Sequence, residues 1–247
     1  MLDVQFGQAI HRGRVRPGNQ GALGAYIPAS RLKARSRGYL FAVAGGTGSA
    51  GEASATAIAG IIEQFAASAD HSMLISLLPH LIQHANSSDA TAIVACALRY
   101  DQAVVSNIGG SRCYLVRDGQ VKQISHDHAS PDKQRDTSSV ETAGFNSHHV
   151  PINSLGTENF DSPDTVALTL YPMDVLVLSS VGMQAWMSDG AIAEIVSRSK
   201  NLHETARELV DRAVEIDGNQ NCATQVIRVR TVEQRTMHGG RTYHLPA

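Results

Sequence analysis

The stretch from Phe41 to Glu52, FAVAGGTGSAGE, constrains the fold of this chain more than any other. The run YLFAVA that ends at Ala44 is continuously apolar and bounded by glycine, which predicts a buried strand. Gly45, Gly46, Gly48 and Gly51 then break regularity, and Glu52 opens an Ala-rich segment with helical spacing. A strand, a glycine turn and a helix start mark a place where backbone approaches something closely. Residues Gly46 to Gly51 also spell G-x-G-x-x-G, the phosphate turn of dinucleotide-binding folds. Such a unit needs a second parallel strand straight after the helix, ending in an acid. Here the helix is followed by another helical stretch, with Asp70 between the two. Nucleotide binding at Gly46–Gly51 therefore stands as an alternative, and glycines serving only a tight turn are the plainer reading.

With 247 residues, 43% of them apolar, the chain is long enough for one large domain with a substantial core. A formal net charge of -2 gives no polyelectrolyte signature, so neither nucleic acid nor an anionic membrane is expected as a partner. There is no apolar run of about 18 residues that would span a bilayer. The N-terminal segment MLDVQFGQAIHRGR has an acid and no apolar centre, so it does not read as a secretory signal. Cys96, Cys113 and Cys222 are far apart, odd in number and embedded in apolar runs. They read as buried free thiols, and the expected location is the cytoplasm.

Residues 2–15 alternate as an edge strand would, and Arg16 to Gly21 reads as a turn around Pro17. A strand is expected over Leu23–Ile27, a solvated basic loop over Ser30–Arg37, and the buried strand over Gly38–Ala44. Glu52–Ala69 and Ser72–Ala85 have helical periodicity, and Pro79 predicts a kink or break in the second. From Asp89 the period becomes extended: strands are expected at 90–98, 102–108 and 112–116. Asp118-Gly119 is a hairpin turn. Residues 125–163 are polar, part helix and part surface loop. Thr165–Leu170 and Asp174–Ser179 form an expected strand pair turning at Tyr171-Pro172-Met173. Ala191–Arg198 is helical. Asn201 caps a last helix with Glu204 three residues on, and Thr224–Val229 is a closing strand. Residues 231–247 read as a tail or linker after a domain spanning 1–230. Hairpins dominate and helices are segregated, which argues an α+β fold of antiparallel sheets with helices outside.

Several of these segments, in order, resemble the PPM-type metal-dependent serine/threonine protein phosphatases (type 2C). Arg16-Pro17-Gly18-Asn19-Gln20-Gly21 stands where that family has Arg-x-x-Asn-Glu-Asp. FAVAGGTGSAGE stands where it has Phe-Ala-Val-Ala-Asp-Gly-Met-Gly-Gly followed by Gly-Glu. Asn107-Ile108-Gly109-Gly110-Ser111-Arg112-Cys113-Tyr114-Leu115 matches Asn-Val-Gly-Asp-Ser-Arg-x-Tyr-Leu. Arg117-Asp118-Gly119, Asp127-His128 and Leu155-Gly156 follow as in the family. Ser180-Val181-Gly182 replaces Ser-Asp-Gly, and Gln220-Asn221 replaces Asp-Asn. The resemblance covers about residues 5–230. It implies a β-sandwich of two antiparallel sheets flanked by helix pairs, a four-layer αββα arrangement.

The same comparison places the family's carboxylates at Gly21, Gly45, Gly110, Val181 and Gln220, none of which is an acid. The family uses two Mg²⁺ or Mn²⁺ ions, which require hard oxygen ligands. Two dications about 4 Å apart repel by roughly 16 kcal/mol at an effective dielectric of 20, and carboxylates normally offset this. The expectation is therefore a pseudophosphatase with no metal cofactor and no catalytic residue. It would serve as a binding or regulatory module for a protein partner, such as a phosphoprotein or a kinase. An active phosphatase with a non-standard metal site is the alternative. Arg16 matches the family's phosphate-contacting arginine; its two readings are a structural ion pair and a retained phosphate contact. His126, His128, His148 and His149 suggest a zinc site only weakly, because loop histidines without a paired spacing are ordinarily solvated. Trp186, near Met183 and Met187, reads as a helix anchor or as an exposed contact patch.

Overall fold

The computed structural model describes residues 1–46, 51–85, 89–128, 153–157, 162–184, 188–198, 200–238 and 241–244. Gly48, His148, His149 and Trp186, singled out above, lie outside them.

Two five-stranded antiparallel sheets pack face to face. One has the order β1 (Asp3–His11), β10 (Cys222–Thr231), β9 (Val175–Ser179), β6 (Arg112–Arg117), β7 (Gln120–Gln123). The other has the order β2 (Gly21–Tyr26), β3 (Tyr39–Gly46), β4 (Thr91–Arg99), β5 (Gln102–Ile108), β8 (Asp164–Thr169). Alternation decides what fills the space between them. Phe41, Val43, Val94, Cys96, Cys113, Leu176, Leu178 and Ile227 point inward and form the middle layer of the core. The opposite face of β3 and β4, with Leu40, Ala42, Ala44, Ile93 and Ala95, is covered by α2 (Glu52–Ala67) and α3 (Leu74–Gln83) through Ile58, Ile61, Phe65, Leu78 and Ile82. Tyr114, Val177 and Val226 are covered by α5 (Asp189–Arg198) and α6 (Leu202–Ile216) through Ile192, Leu209, Val210 and Ala213. The αββα arrangement is thus the observed one.

Local signals account for most elements. Asn201 Oδ1 accepts from the backbone N–H of His203 and Glu204, capping α6 as its position predicts. Asp118 and Gly119 both have positive φ, 50° and 75°, which is the conformation a two-residue β6–β7 hairpin demands. All three cysteines are free and buried. Burial pushes the thiols of Cys113 and Cys222 up to about 12, which removes them as nucleophiles.

Four expectations are corrected. Ser30–Arg37 is not a loop: α1 (Arg31–Ser36) starts where Ser30 Oγ accepts from Lys33 N at 3.2 Å. Ion pairs from Lys33 and Arg37 to Asp70, and from Arg35 to Glu233, tie this short helix down. Of the kink or break expected at Pro79, the break does not occur: α3 runs through it, since four buried residues of that helix, Leu74, Leu78, Leu81 and Ile82, hold it on the sheet. Residues 231–247 are not a featureless tail. Val232 and Glu233 are buried, and β11 (Arg235–His238) pairs with β12 (Arg241–His244).

The fourth correction concerns β8 and β9, which do not pair with each other. β8 joins β5 in one sheet and β9 joins β10 and β6 in the other, so residues 170–174 cross the sandwich. Asp174, 2% exposed, fixes the crossing. Its carboxylate accepts from Arg117 Nε and Nη2, both at 2.7 Å, and from the N–H of Tyr171 at 2.8 Å. Removing one partner of such a pair strands the other group. Asp174→Ala is expected to lower stability by about 2–3 kcal/mol in denaturant titration. A loss under about 0.5 kcal/mol would show that the crossing is held by its backbone alone.

Candidate functional site: a cleft at one end of the sandwich

The five positions at which the sequence lacks acids converge. Gly21 opens β2 and is the cross-strand neighbour of Gly45 on β3. A Cβ placed on Gly21 would lie 3.4 Å from Ala223 Cβ, and one on Gly45 would lie 3.3 Å from Ser180 Cβ. Both therefore face the other sheet, at the ends of β10 and β9. The next residue, Val181, opens the short α4 (Val181–Gln184), and its Cγ2 would lie 3.2 Å from a Cβ on Gly110. Gln220, just before β10, accepts through Oε1 from Arg16 Nη2 at 3.3 Å. Strand ends and loops from both sheets thus meet at one end of the sandwich.

The polar residues kept around this cleft bind one loop to another. Asn221 Oδ1 accepts from Gln20 N at 3.0 Å, and its Nδ2 donates to the carbonyls of Arg12 at 2.6 Å and Gly18 at 3.1 Å. Asn19 Oδ1 accepts from Gly21 N at 3.1 Å. These bonds hold residues 12–21 against 218–222. Arg12 and Arg14 are exposed on that loop beside Arg16.

Asp127 is committed to Arg112, whose Nε donates to it at 2.8 Å and 3.0 Å. Burial disfavours the Arg112 cation, but the hydrogen bonds to Asp127 and Tyr114 outweigh it, and its pKa is raised. His128 Nε2 lies 3.2 Å from Asp164, and its Nδ1 lies 3.1 Å from Asn153 Nδ2. These side chains support structure and do not point a set of ligands at one spot. Among the described residues no group of three or more His, Cys, Asp or Glu side chains is placed to hold a metal ion. Of the suggested histidine cluster only His126 and His128 are among the described residues.

The hydrogen-bonding state of three serines at or near the rim is not legible in the sequence. Ser180 Oγ accepts from Ala223 N at 2.9 Å, locking β9 to β10 beside Gly45. Ser54 and Ser111 are 1% and 0% exposed, and their hydroxyls have no hydrogen-bond partner among the described residues. Ser54 Oγ lies 3.1 Å from where a Gly46 Cβ would be. Nothing in composition or periodicity distinguishes these serines from ordinary small core residues.

The donor set can be tested against a pair of divalent ions. Three glycines and a valine offer no side-chain oxygen. The single amide oxygen at Gln220 is already taken by a guanidinium, whose charge opposes a cation. The residues present do not fit such a centre. Yet the space at Gly21 and Gly45 would accept a Cβ with little adjustment, so the cleft still has the shape that acidic side chains would fill.

The Protein phosphatase 2C family model matches residues 49–144. The chain is 27% identical over 154 residues to the serine/threonine phosphatase stp of Listeria innocua, covering 61% of this chain and 59% of that protein. It is 29% identical over 126 residues to a putative protein phosphatase 2C-type of Streptococcus pyogenes, covering 50% and 51%. The aligned stretch thus spans less than two thirds of these curated relatives.

Among solved structures, the PPM Ser-Thr phosphatase MsPP of Mycobacterium smegmatis, in complex with cacodylate, superposes with a TM-score of 0.69 at 25% identity. That match covers 92% of this chain and 98% of that one. The catalytic domain of PstP, in complex with two manganese ions, gives 0.74 at 22%, covering 93% and 100%. Fold and cleft define a PPM-type phosphatase-like domain. Over the matched residues the chain is similar to the protein phosphatase 2C family of serine/threonine phosphatases.

Proposed function

We propose that this domain is a pseudophosphatase: it keeps the family's fold, has lost the dinuclear chemistry, and acts in serine/threonine phospho-signalling by binding a protein partner. The observation that supports this reading is the donor set of the cleft. Gly21, Gly45, Gly110, Val181 and Gln220 converge there without one carboxylate. Loss of a single acid can be compensated by a neighbour, whereas five losses at one cleft remove the reason for a dication to enter.

The same loss changes what the cleft attracts. With Arg16 at its edge and Arg12 and Arg14 exposed on the adjoining loop, it is suited to an anion rather than a cation. A phosphorylated segment of a partner, held through Arg16, fits that chemistry. Isothermal calorimetry with Mn²⁺ is expected to show no binding, and p-nitrophenyl phosphate no turnover above the buffer blank. Manganese-dependent hydrolysis would overturn the reading in favour of an active enzyme. In a phosphoserine-peptide titration, Arg16→Ala is expected to weaken binding about tenfold, the loss of one charge-assisted hydrogen bond. An unchanged affinity would leave Arg16 with its structural role only.

A further inference from the structure

Away from the cleft, α3 carries a pair of imidazoles in chelating register. His80 and His84 are four residues apart at the C-terminal end of that helix, so they share one of its faces. Both are exposed, and their ring centroids are 4.0 Å apart with 38° between planes. His84 Nδ1 lies 2.9 Å from the carbonyl oxygen of His80. A carbonyl oxygen only accepts, so this contact assigns the proton to Nδ1 and leaves the Nε2 lone pair of His84 free. That is how metal-ligating histidines are ordinarily held, with one ring nitrogen on a backbone acceptor and the other on the ion.

Two further features favour a cation at this spot. The carbonyl end of a helix carries the negative pole of its macrodipole. Pro79 also lacks an N–H, so a rung is missing from the α3 ladder just before His80, and a clip from His80 to His84 would brace the turn that follows. The apolar side of α3, with Leu74, Leu78, Leu81 and Ile82, is buried on the sheet, which leaves the histidines on the solvent side.

We infer that His80 and His84 form a two-imidazole chelate for a borderline divalent cation of the zinc, nickel or copper class, with water completing the coordination shell. Bonds of about 2.0–2.1 Å from each Nε2 would bring the two nitrogens to roughly 3 Å, a small rotation from the stacked arrangement. Imidazole suits Zn²⁺, Ni²⁺ and Cu²⁺, whereas Mg²⁺ and Mn²⁺ favour oxygen, so this site is selective for the borderline cations. With two protein ligands and open solvent access, the ion exchanges rather than being locked in.

The test is calorimetric titration of the full chain with Zn²⁺ and with Ni²⁺, on wild type, His80→Gln, His84→Gln and the double variant. The chain has 11 histidines, so the double variant, with nine, measures background binding. Wild type is expected to show a site that each single variant weakens about tenfold or more and the double variant lacks. Zn²⁺ should raise the melting temperature of wild type and leave that of the double variant unmoved. Circular dichroism confirms that the variants keep their helices. Superimposable isotherms for wild type and double variant would overturn the chelate. So would a loss confined to one of the two single variants, since a chelate needs both rings. The outcome is independent of the phosphatase-like cleft: Arg16→Ala should leave Zn²⁺ binding unchanged.

Discussion

A variant carrying Gly21→Asp, Gly45→Asp, Gly110→Asp, Val181→Asp and Gln220→Asp together is expected to bind Mn²⁺ with a dissociation constant below about 1 mM, where wild type binds none. A dissociation constant of about 1 mM corresponds to about 4 kcal/mol of binding free energy. The geometry supports it site by site. Cβ atoms at Gly21 and Gly45 meet their neighbours at 3.4 Å and 3.3 Å, the first ordinary contact and the second only slightly tight. The 3.2 Å approach at Gly110 is to Val181 Cγ2, an atom that the Val181 substitution itself removes. Changing Gln220 takes away the amide that accepts from Arg16 and places a carboxylate at the cleft's edge.

The restored acids should also cost stability. Without metal they repel one another across the cleft, and a loss of about 1–3 kcal/mol is expected, recovered when Mn²⁺ is added. Calorimetry and Mn²⁺-dependent thermal shift read the two effects. The double variant Gly45→Asp with Gln220→Asp provides a milder check should the fivefold change prevent folding. If wild type takes up Mn²⁺ as tightly as the restored variant, the missing acids were not what kept the metals out.

What the sequence revealed, and what it did not, divides along physical lines. Elements fixed by local chemistry were legible. Asn201 caps α6, Asp118-Gly119 turns β6 into β7, and the continuous apolar run of β3 marks a strand covered on both faces. The cleft was legible because its residues sit in motifs: the positions of Gly21, Gly45 and Gln220 were set by their neighbours in the chain. What escaped was fixed by tertiary context. Six residues of α1 carry no amphipathic period, and its short helix rests on a Ser30 cap and on ion pairs to Asp70 and Glu233. The sheet exchange between β8 and β9 rests on the bidentate Arg117–Asp174 pair, made by residues 57 apart in sequence. The buried hydroxyls of Ser54 and Ser111 are visible only once the two sheets are assembled around them.

Packing also dictates glycine at a position that sequence motifs leave unmarked. Gly7, in the middle of β1, is expected to tolerate no side chain: Gly7→Ala should lower stability by more than about 3 kcal/mol or leave no folded protein. A Cβ there would fall inside 3.0 Å of the carbonyl carbon and oxygen of Leu202 and of His203 N. All three are backbone atoms in the first turn of α6, so no rotamer change can make room. The helix cannot simply lift away. Leu202, Ala206, Leu209, Val210 and Ala213 bury its apolar stripe against this sheet, and moving it would expose that surface at about 25 cal/mol per Å². Nor can β1 shift, because it is paired along its length with β10, which carries Ala223 and follows directly on Asn221 at the floor of the cleft. Strain at Gly7 would thus be passed to the cleft through β10. Urea titration of Gly7→Ala, beside Gly18→Ala as a control where a Cβ meets nothing within 4 Å, separates packing from the general effect of replacing glycine. A Gly7→Ala midpoint matching that of the control would mean that α6 rides more loosely on the sheet than its burial implies.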